Sequence, residues 1–175
     1  MFRLLLLRHS KALAQAEGGD AERALNQRGR DDALRIGRYL RDEKLFPDLA
    51  LTSRARRAQE TLELALSGLG RMVAVTKKNR LYLAEPRTLL SIVRTTPADT
   101  RTLLLVGHNP GLAAFANQLS GSGDAEARVA VASSFPTTAL AEIDFDLPGW
   151  DEVAFGTGTL ERLVTPALLG GGDDD

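Results

Sequence analysis

The 175-residue chain holds two histidines, and each stands directly after an apolar run: His9 after MFRLLLLR, His108 after TLLLVG. A neutral imidazole is a nucleophile that can accept a phosphoryl group on nitrogen. Its ordinary pKa is about 6.5, and nearby cations disfavour the protonated form, so its lone pair is free at neutral pH. Cations are at hand. Arg8 precedes His9, Lys11 follows it, and Arg54, Arg56 and Arg57 open a helical segment that begins at Ser53. Guanidinium groups present a planar fork of donors suited to phosphate. Phosphoryl transfer demands mainly positioning and neutralisation of the equatorial oxygens, which arginine supplies without a metal or cofactor. One histidine would attack, and the other would hold phosphate and stabilise its transition-state charge.

The elements that must position these groups follow from hydrophobic pattern. Leu4–Leu7 is a continuous apolar run, the pattern of a strand buried on both faces of a parallel sheet. Helices are expected from about Gln27 to Lys44 behind the cap Asn26, through SRARRAQETLELALSGLG, from Pro86 to about Thr96, and from His108 to Leu119. Strands are expected over 48–53, 72–76 and 101–107, with further candidates over 139–145, 150–155 and 160–165. Leu81–Ala84 extends the third strand or lies in the loop after it. Ser10–Arg23 reads as a long loop covering a site, Gly18-Gly19-Asp20 as a turn within it, and Ser120–Glu126 as a mobile loop. Strands alternating with helices, then strands at the end, predict an α/β fold: a three-layer sandwich, mainly parallel sheet with an antiparallel edge, helices on both faces. One domain over residues 1–169 is expected, and a disordered tail over 170–175. In such a sheet the carboxyl ends of the strands share one crevice. Arg8 and His9, Ser53 and Arg57, Tyr82 and Glu85, and His108 all follow strands, and two helix N-termini join them.

Composition narrows the class. The net charge of −1 offers no bulk attraction to nucleic acid or anionic membrane. Cysteine is absent, which removes disulfides, thiolate metal sites and cysteine nucleophiles, and suits a reducing cytosol. The N-terminal apolar run is too short for a signal peptide and lacks a small-residue cleavage site; no stretch reaches the roughly 18 apolar residues of a membrane span. A cytoplasmic protein with no membrane or nucleic-acid partner is expected. Arg54, Arg56 and Lys11 read as a solvated basic rim, Glu85 as a helix-start residue, Tyr82 as packing or pocket wall, and Ser53 as a cap. No G-x-S-x-G elbow or P-loop occurs, and two histidines without a carboxylate cluster make a poor metal site.

The ordered set LLLLRHSKA, LNQRGRDDA, SRARRAQETLE, LLLVGHNPGL and FPTTAL resembles the histidine phosphatase superfamily with its RHG-type motif, and within it the SixA-type phosphohistidine phosphatases. The resemblance covers most of the chain and implies a phosphoglycerate mutase-like fold. It implies that His9 is the phosphorylated nucleophile, Arg8 and Arg57 bind phosphate, and His108 is the second catalytic histidine. It further implies phosphohistidine on a signalling or phosphotransfer protein as substrate, histidine phosphotransfer domains being the suggested partners. Two positions depart from the pattern. Ser10 stands where glycine is commonest, and Tyr82, with Glu85 three residues on, stands where many members keep a carboxylate proton donor. The lack of that acid favours a P–N bond, whose imidazole leaving group needs less protonation than an alkoxide. Competing readings are a phosphomonoesterase for a small metabolite, such as a sugar phosphate or nucleotide-loop precursor, and a phosphate-binding module without catalysis. Oligomeric state is open.

Overall fold

The computed structural model describes residues 1–171. Strand β1 (Phe2–Arg8) carries the four leucines, none of them exposed. Leu4 and Leu6 enter one core layer, Leu5 and Leu7 the other, as the two-residue period of a strand requires. Around it the chain forms α1 (Gln27–Asp42), β2 (Leu49–Thr52), α2 (Arg56–Leu69), β3 (Ala74–Lys77), α3 (Pro86–Arg94) and β4 (Thr102–Gly107). There follow α4 (Gly111–Leu119), β5 (Ser120–Gly123), α5 (Ala125–Ser133), β6 (Leu140–Phe145) and β7 (Gly158–Val164).

The sheet order is β3-β2-β4-β1-β6-β7-β5. Helices α1 and α2 pack on one face through Ile36, Leu40, Leu62 and Leu69. Helices α3, α4 and α5 cover the other through Ile92, Phe115 and Val131. This is the expected three-layer α/β sandwich. Among the described strands only β6 runs against the rest: it is antiparallel to both β1 and β7, while β5 returns parallel to β7. The antiparallel strand therefore lies inside the sheet, and the edges, β3 and β5, are both parallel to their neighbours.

Local chemistry explains the helix limits. The Asn26 side chain accepts the Gly29 N–H at the start of α1, Pro86 opens α3, and Gly70 closes α2 in the left-handed region. Elsewhere tertiary packing overrides local pattern. Ser120–Gly123, expected to be mobile, pairs with β7, and Asp124 caps α5, a helix the hydrophobic pattern did not announce. Trp150–Glu152 is a 3-10 turn instead of a strand. Trp150 is buried against Phe2 and Phe145, and its Nε1–H donates to the Thr100 carbonyl at 2.7 Å. Residues 79–81 also form a 3-10 turn, so 81–84 adds no strand. Of the expected tail, Gly170 N–H donates to the Ala167 carbonyl and Gly171 N–H to the Pro166 carbonyl, closing a turn, and 172–175 lie outside the described residues.

Helices α1 and α2 meet at backbone distance. A Cβ on Gly37 would stand 2.0 Å from the Ala65 carbonyl oxygen. Alanine is the better helix former, yet here the steric term dominates. Gly37→Ala is expected to lose about 1–3 kcal/mol, measured by thermal or denaturant unfolding; an unchanged midpoint would contradict this packing.

Candidate active site

The parallel pairing of β1 with β4 matches Arg8 to Gly107, so His9 and His108 leave adjacent strand ends together. Their ring centroids are 5.2 Å apart. Arg57, in the first turn of α2, joins them, and with Arg8, Asp20 and Asn109 they line a cavity of about 510 Å³. The sequence-predicted residues Arg8, His9, Arg57 and His108 are thus brought together. Lys11, assigned to the rim, also lines the cavity, whereas Arg56 pairs with Glu60.

Each imidazole has a defined partner. His9 Nδ1–H donates to the Ser10 carbonyl at 2.8 Å, which places the proton on Nδ1 and leaves the Nε2 lone pair available. His108 Nε2 lies 2.6 Å from Ser53 Oγ, and that hydroxyl accepts the Ala55 N–H at 3.3 Å. A Ser53 O–H donated to Nε2 puts the His108 proton on Nδ1. His108 Nδ1, Arg8 Nε and Arg57 Nε are all buried and have no hydrogen-bond partner among the described residues. Each unsatisfied buried donor costs about 1–3 kcal/mol.

Burial and the two guanidinium groups push both imidazoles toward neutrality. His9 falls to about 4, first through burial and then through Arg57 and Arg8, against the opposing effect of its Ser10 bond. His108 falls to about 3, mainly through burial and then the neighbouring His9 and Arg57. Burial, with the like charge of Arg57, also lowers Arg8.

The loop after β1 is held by two hydroxyls, of Thr61 and Thr138, that sequence reasoning did not single out. Ser10 N–H donates to Thr61 Oγ1 at 2.9 Å, and Thr61 donates in turn to the Arg57 carbonyl. Thr138 donates to Ser10 Oγ at 2.7 Å, and its N–H is shared between the Arg8 and His9 carbonyls. The hydroxyl at the usual glycine position thus accepts a bond that ties the loop to Thr138. Thr138 holds φ at +63°, a conformation costing a residue of this type about 1–3 kcal/mol, and these bonds maintain it. Phe135 O accepts from both Arg8 Nη1 and Asn109 Nδ2.

Asp20 is the main residue the sequence reading missed. Read there as part of a turn, it carries a carboxylate into the cavity. Its backbone oxygen accepts Arg57 Nη1 at 2.8 Å, and its side chain accepts Arg57 Nη2, Arg23 Nε and the Tyr82 hydroxyl. The Tyr82 bond first, then those from Arg57 and Arg23, hold the Asp20 carboxyl far below the usual range. That same bond raises the Tyr82 hydroxyl. Tyr82 sets its ring edge-on to His108 at 5.5 Å and lies under the Arg54 guanidinium at 4.4 Å. Glu85 is exposed at the start of α3 and does not line the cavity. No group of three or more metal-ligating side chains occurs among the described residues, and no helix among them is long and apolar enough to cross a membrane.

This site stands on a chain that belongs to the histidine phosphatase superfamily, whose branch 1 model matches residues 4–82. It is of the SixA type. It superposes with TM-score 0.79 and 29% identity on the SixA protein of Agrobacterium tumefaciens, assigned as a phosphohistidine phosphatase, over 94% of this chain and 98% of that one. A similarly assigned SixA from Nakamurella multipartitia gives TM-score 0.77 and 25% identity over 94% and 95% of the two chains. In sequence the chain is 33% identical over 162 residues to the uncharacterised protein Rv1276c of Mycobacterium tuberculosis, covering 91% of this chain and 99% of that one.

The lowered imidazoles make a pH prediction. Protonating Nε2 of His9 removes its lone pair, so kcat/KM on a phosphorylated substrate should fall as pH drops through about 4, not through an ordinary histidine value. Both histidines are neutral when folded, while unfolded imidazole gains a proton below about 6.5. Stability should therefore decline as pH falls from about 6.5 toward about 4. An acid limb centred near the ordinary histidine pKa would contradict the buried placement.

Proposed function

We propose that the protein is a metal-independent phosphatase that works through a phosphohistidine at His9, and that it removes phosphate from phosphohistidine on a protein. The observation that carries the reading is the cavity lined together by the His9 and His108 imidazoles, 5.2 Å apart, and the Arg8 and Arg57 side chains. These donors suit the equatorial oxygens of a transferring phosphoryl group. In the first step the P–N bond to the substrate breaks as a bond forms from phosphorus to His9 Nε2. In the second, water attacks phosphorus and the P–Nε2 bond breaks, returning His9 and releasing phosphate. Arg8 and Arg57 hold the oxygens, and His108 donates from Nδ1 to the one on which charge develops.

The choice of a P–N substrate rests on the state of the nearby acids. Asp20 is held ionised and the Tyr82 proton is engaged by it, so neither is poised to protonate a leaving alkoxide. An imidazole leaving group needs less help. The SixA relatives are assigned this activity, which supports the same reading here. Absence of cysteine fits a cytoplasmic setting. A second reading, a small-molecule phosphomonoesterase, is favoured by one observation: Asp20 does place a carboxylate in the cavity.

Incubation with a histidine-phosphorylated protein is expected to yield an acid-labile phosphoenzyme at His9. His9→Ala should abolish it and lower kcat at least about a thousandfold; normal turnover in that variant would sink the mechanism. Comparing kcat/KM on the phosphoprotein with a panel of sugar and nucleotide phosphates decides the substrate. A strong preference for an alkyl phosphate would transfer the assignment to the second reading and give Asp20 a part in proton transfer.

A further inference from the structure

Three non-glycine residues among those described take a positive φ: Lys44 at 58°, Leu83 at 50° and Thr138 at 63°. Lys44 follows the end of α1, where a left-handed residue ordinarily stops a helix. Thr138 is held by bonds to Arg8, His9 and Ser10, so its conformation serves the loop that carries the nucleophile. Leu83 is the third residue of a type II turn closed by the Ala84 N–H on the Leu81 carbonyl, a position that takes φ > 0 and ordinarily glycine. Its side chain can make no hydrogen bond, it is 53% exposed, and it lines the same cavity as His9, Arg57 and His108. A bulky residue in this region is an outlier that persists only where its surroundings enforce it.

Those surroundings are rigid. Tyr82 N–H donates to the Asn79 carbonyl and Ala84 N–H to the Leu81 carbonyl, closing the turn on both sides of residue 83. The Ala84 carbonyl then abuts α4 so closely that a Cβ on Gly111 would stand 1.8 Å from its oxygen. The chain is clamped before and after Leu83, and the left-handed residue between the clamps sets its side chain at the cavity. Ala12 and Ala14 add apolar lining, while Lys11 and Arg23 supply charge.

We infer that Leu83 is a specificity-determining residue, which contacts an apolar part of the leaving group next to the phosphoryl group. The inference rests on the reading of the cavity as a phosphoryl site, and it selects among substrates: those whose phosphoryl group is joined to carbon-rich surface, as on a protein side chain, gain a contact that small polar phosphates cannot make. Backbone strain is retained because the exposed leucine serves binding instead of folding.

The test uses two replacements that accept a left-handed φ, Leu83→Gly and Leu83→Asn, with the full chain. Affinities for inorganic phosphate and for 1-naphthyl phosphate are measured by calorimetric titration, alongside the melting temperature. The expected result is a melting temperature at or above that of the wild type, phosphate affinity within about twofold, and naphthyl phosphate affinity lower by about fivefold, the scale of burying the exposed part of one leucine. On a histidine-phosphorylated protein the same variants should raise KM by a similar factor and leave kcat nearly unchanged. Equal losses on both probes, or a lower melting temperature with no selectivity, would show that Leu83 only supports the turn and would overturn the inference. So would unchanged affinity for both. Failure of the wild type to bind inorganic phosphate at all would instead sink the phosphoryl-site reading on which the inference rests.

Discussion

The parallel hydrogen-bonded register between β1 and β4 is the constraint on which the rest depends. Because Arg8 is matched to Gly107, the residues that follow, His9 and His108, leave the sheet side by side. A shift by one residue would exchange leucine for leucine within the run but draw the charge of Arg3 or Arg8 into the core at one end of it. The core therefore enforces the register, and the register places the two imidazoles. Packing of Leu4–Leu7 and geometry of the site are one problem solved once.

Placing two imidazoles and two guanidinium groups in a buried cavity carries an electrostatic cost, met in two ways. The histidines stay neutral, with His9 presenting Nε2 because Nδ1 is committed to the Ser10 carbonyl. Asp20 meets part of the Arg57 charge through the backbone and side-chain oxygens of one residue, and draws in Arg23 and Tyr82. The Ser10–Arg23 loop is consequently part of the site's scaffolding: it holds Arg57 by its Nη atoms while Nε remains unpartnered. Hydroxyls of Thr61, Ser10 and Thr138 connect that scaffolding to the nucleophile's backbone.

Much of this was legible in the chain. The apolar runs ending in His9 and His108, the cap at Asn26 and Pro86 at the start of α3 each carry a local physical signal, and the elements follow them. Where local signals were weak or misleading, neighbours decided. Ser-Gly-Ser-Gly has little strand propensity of its own and becomes β5 because β7 offers it a ladder. Trp150 ends in a 3-10 turn because burying its ring against Phe2 and satisfying its N–H on Thr100 outweigh extended pairing. Asp20, in a turn of the loop that read as covering a site, gives no hint that it will meet Arg57, 37 residues away.

The sequence by itself determined the chemistry on offer: two imidazoles at strand ends, arginines suited to phosphate, no thiol, and a pattern demanding an α/β sandwich. These are properties of residue type and period, which need no partner to be read. Only the tertiary structure decided which nitrogen of each histidine is free, that a carboxylate enters the cavity from the loop, that Glu85 stays outside it, and that Leu83 is held in a strained conformation at its edge. The bond of His9 to Ser10 and the turn at Leu83 are local, but the Ser53–His108 bond, the Asp20–Arg57 pair and the seat of Ala84 on Gly111 join residues far apart in the chain, whose distances exist only after the sheet has brought the strand ends together.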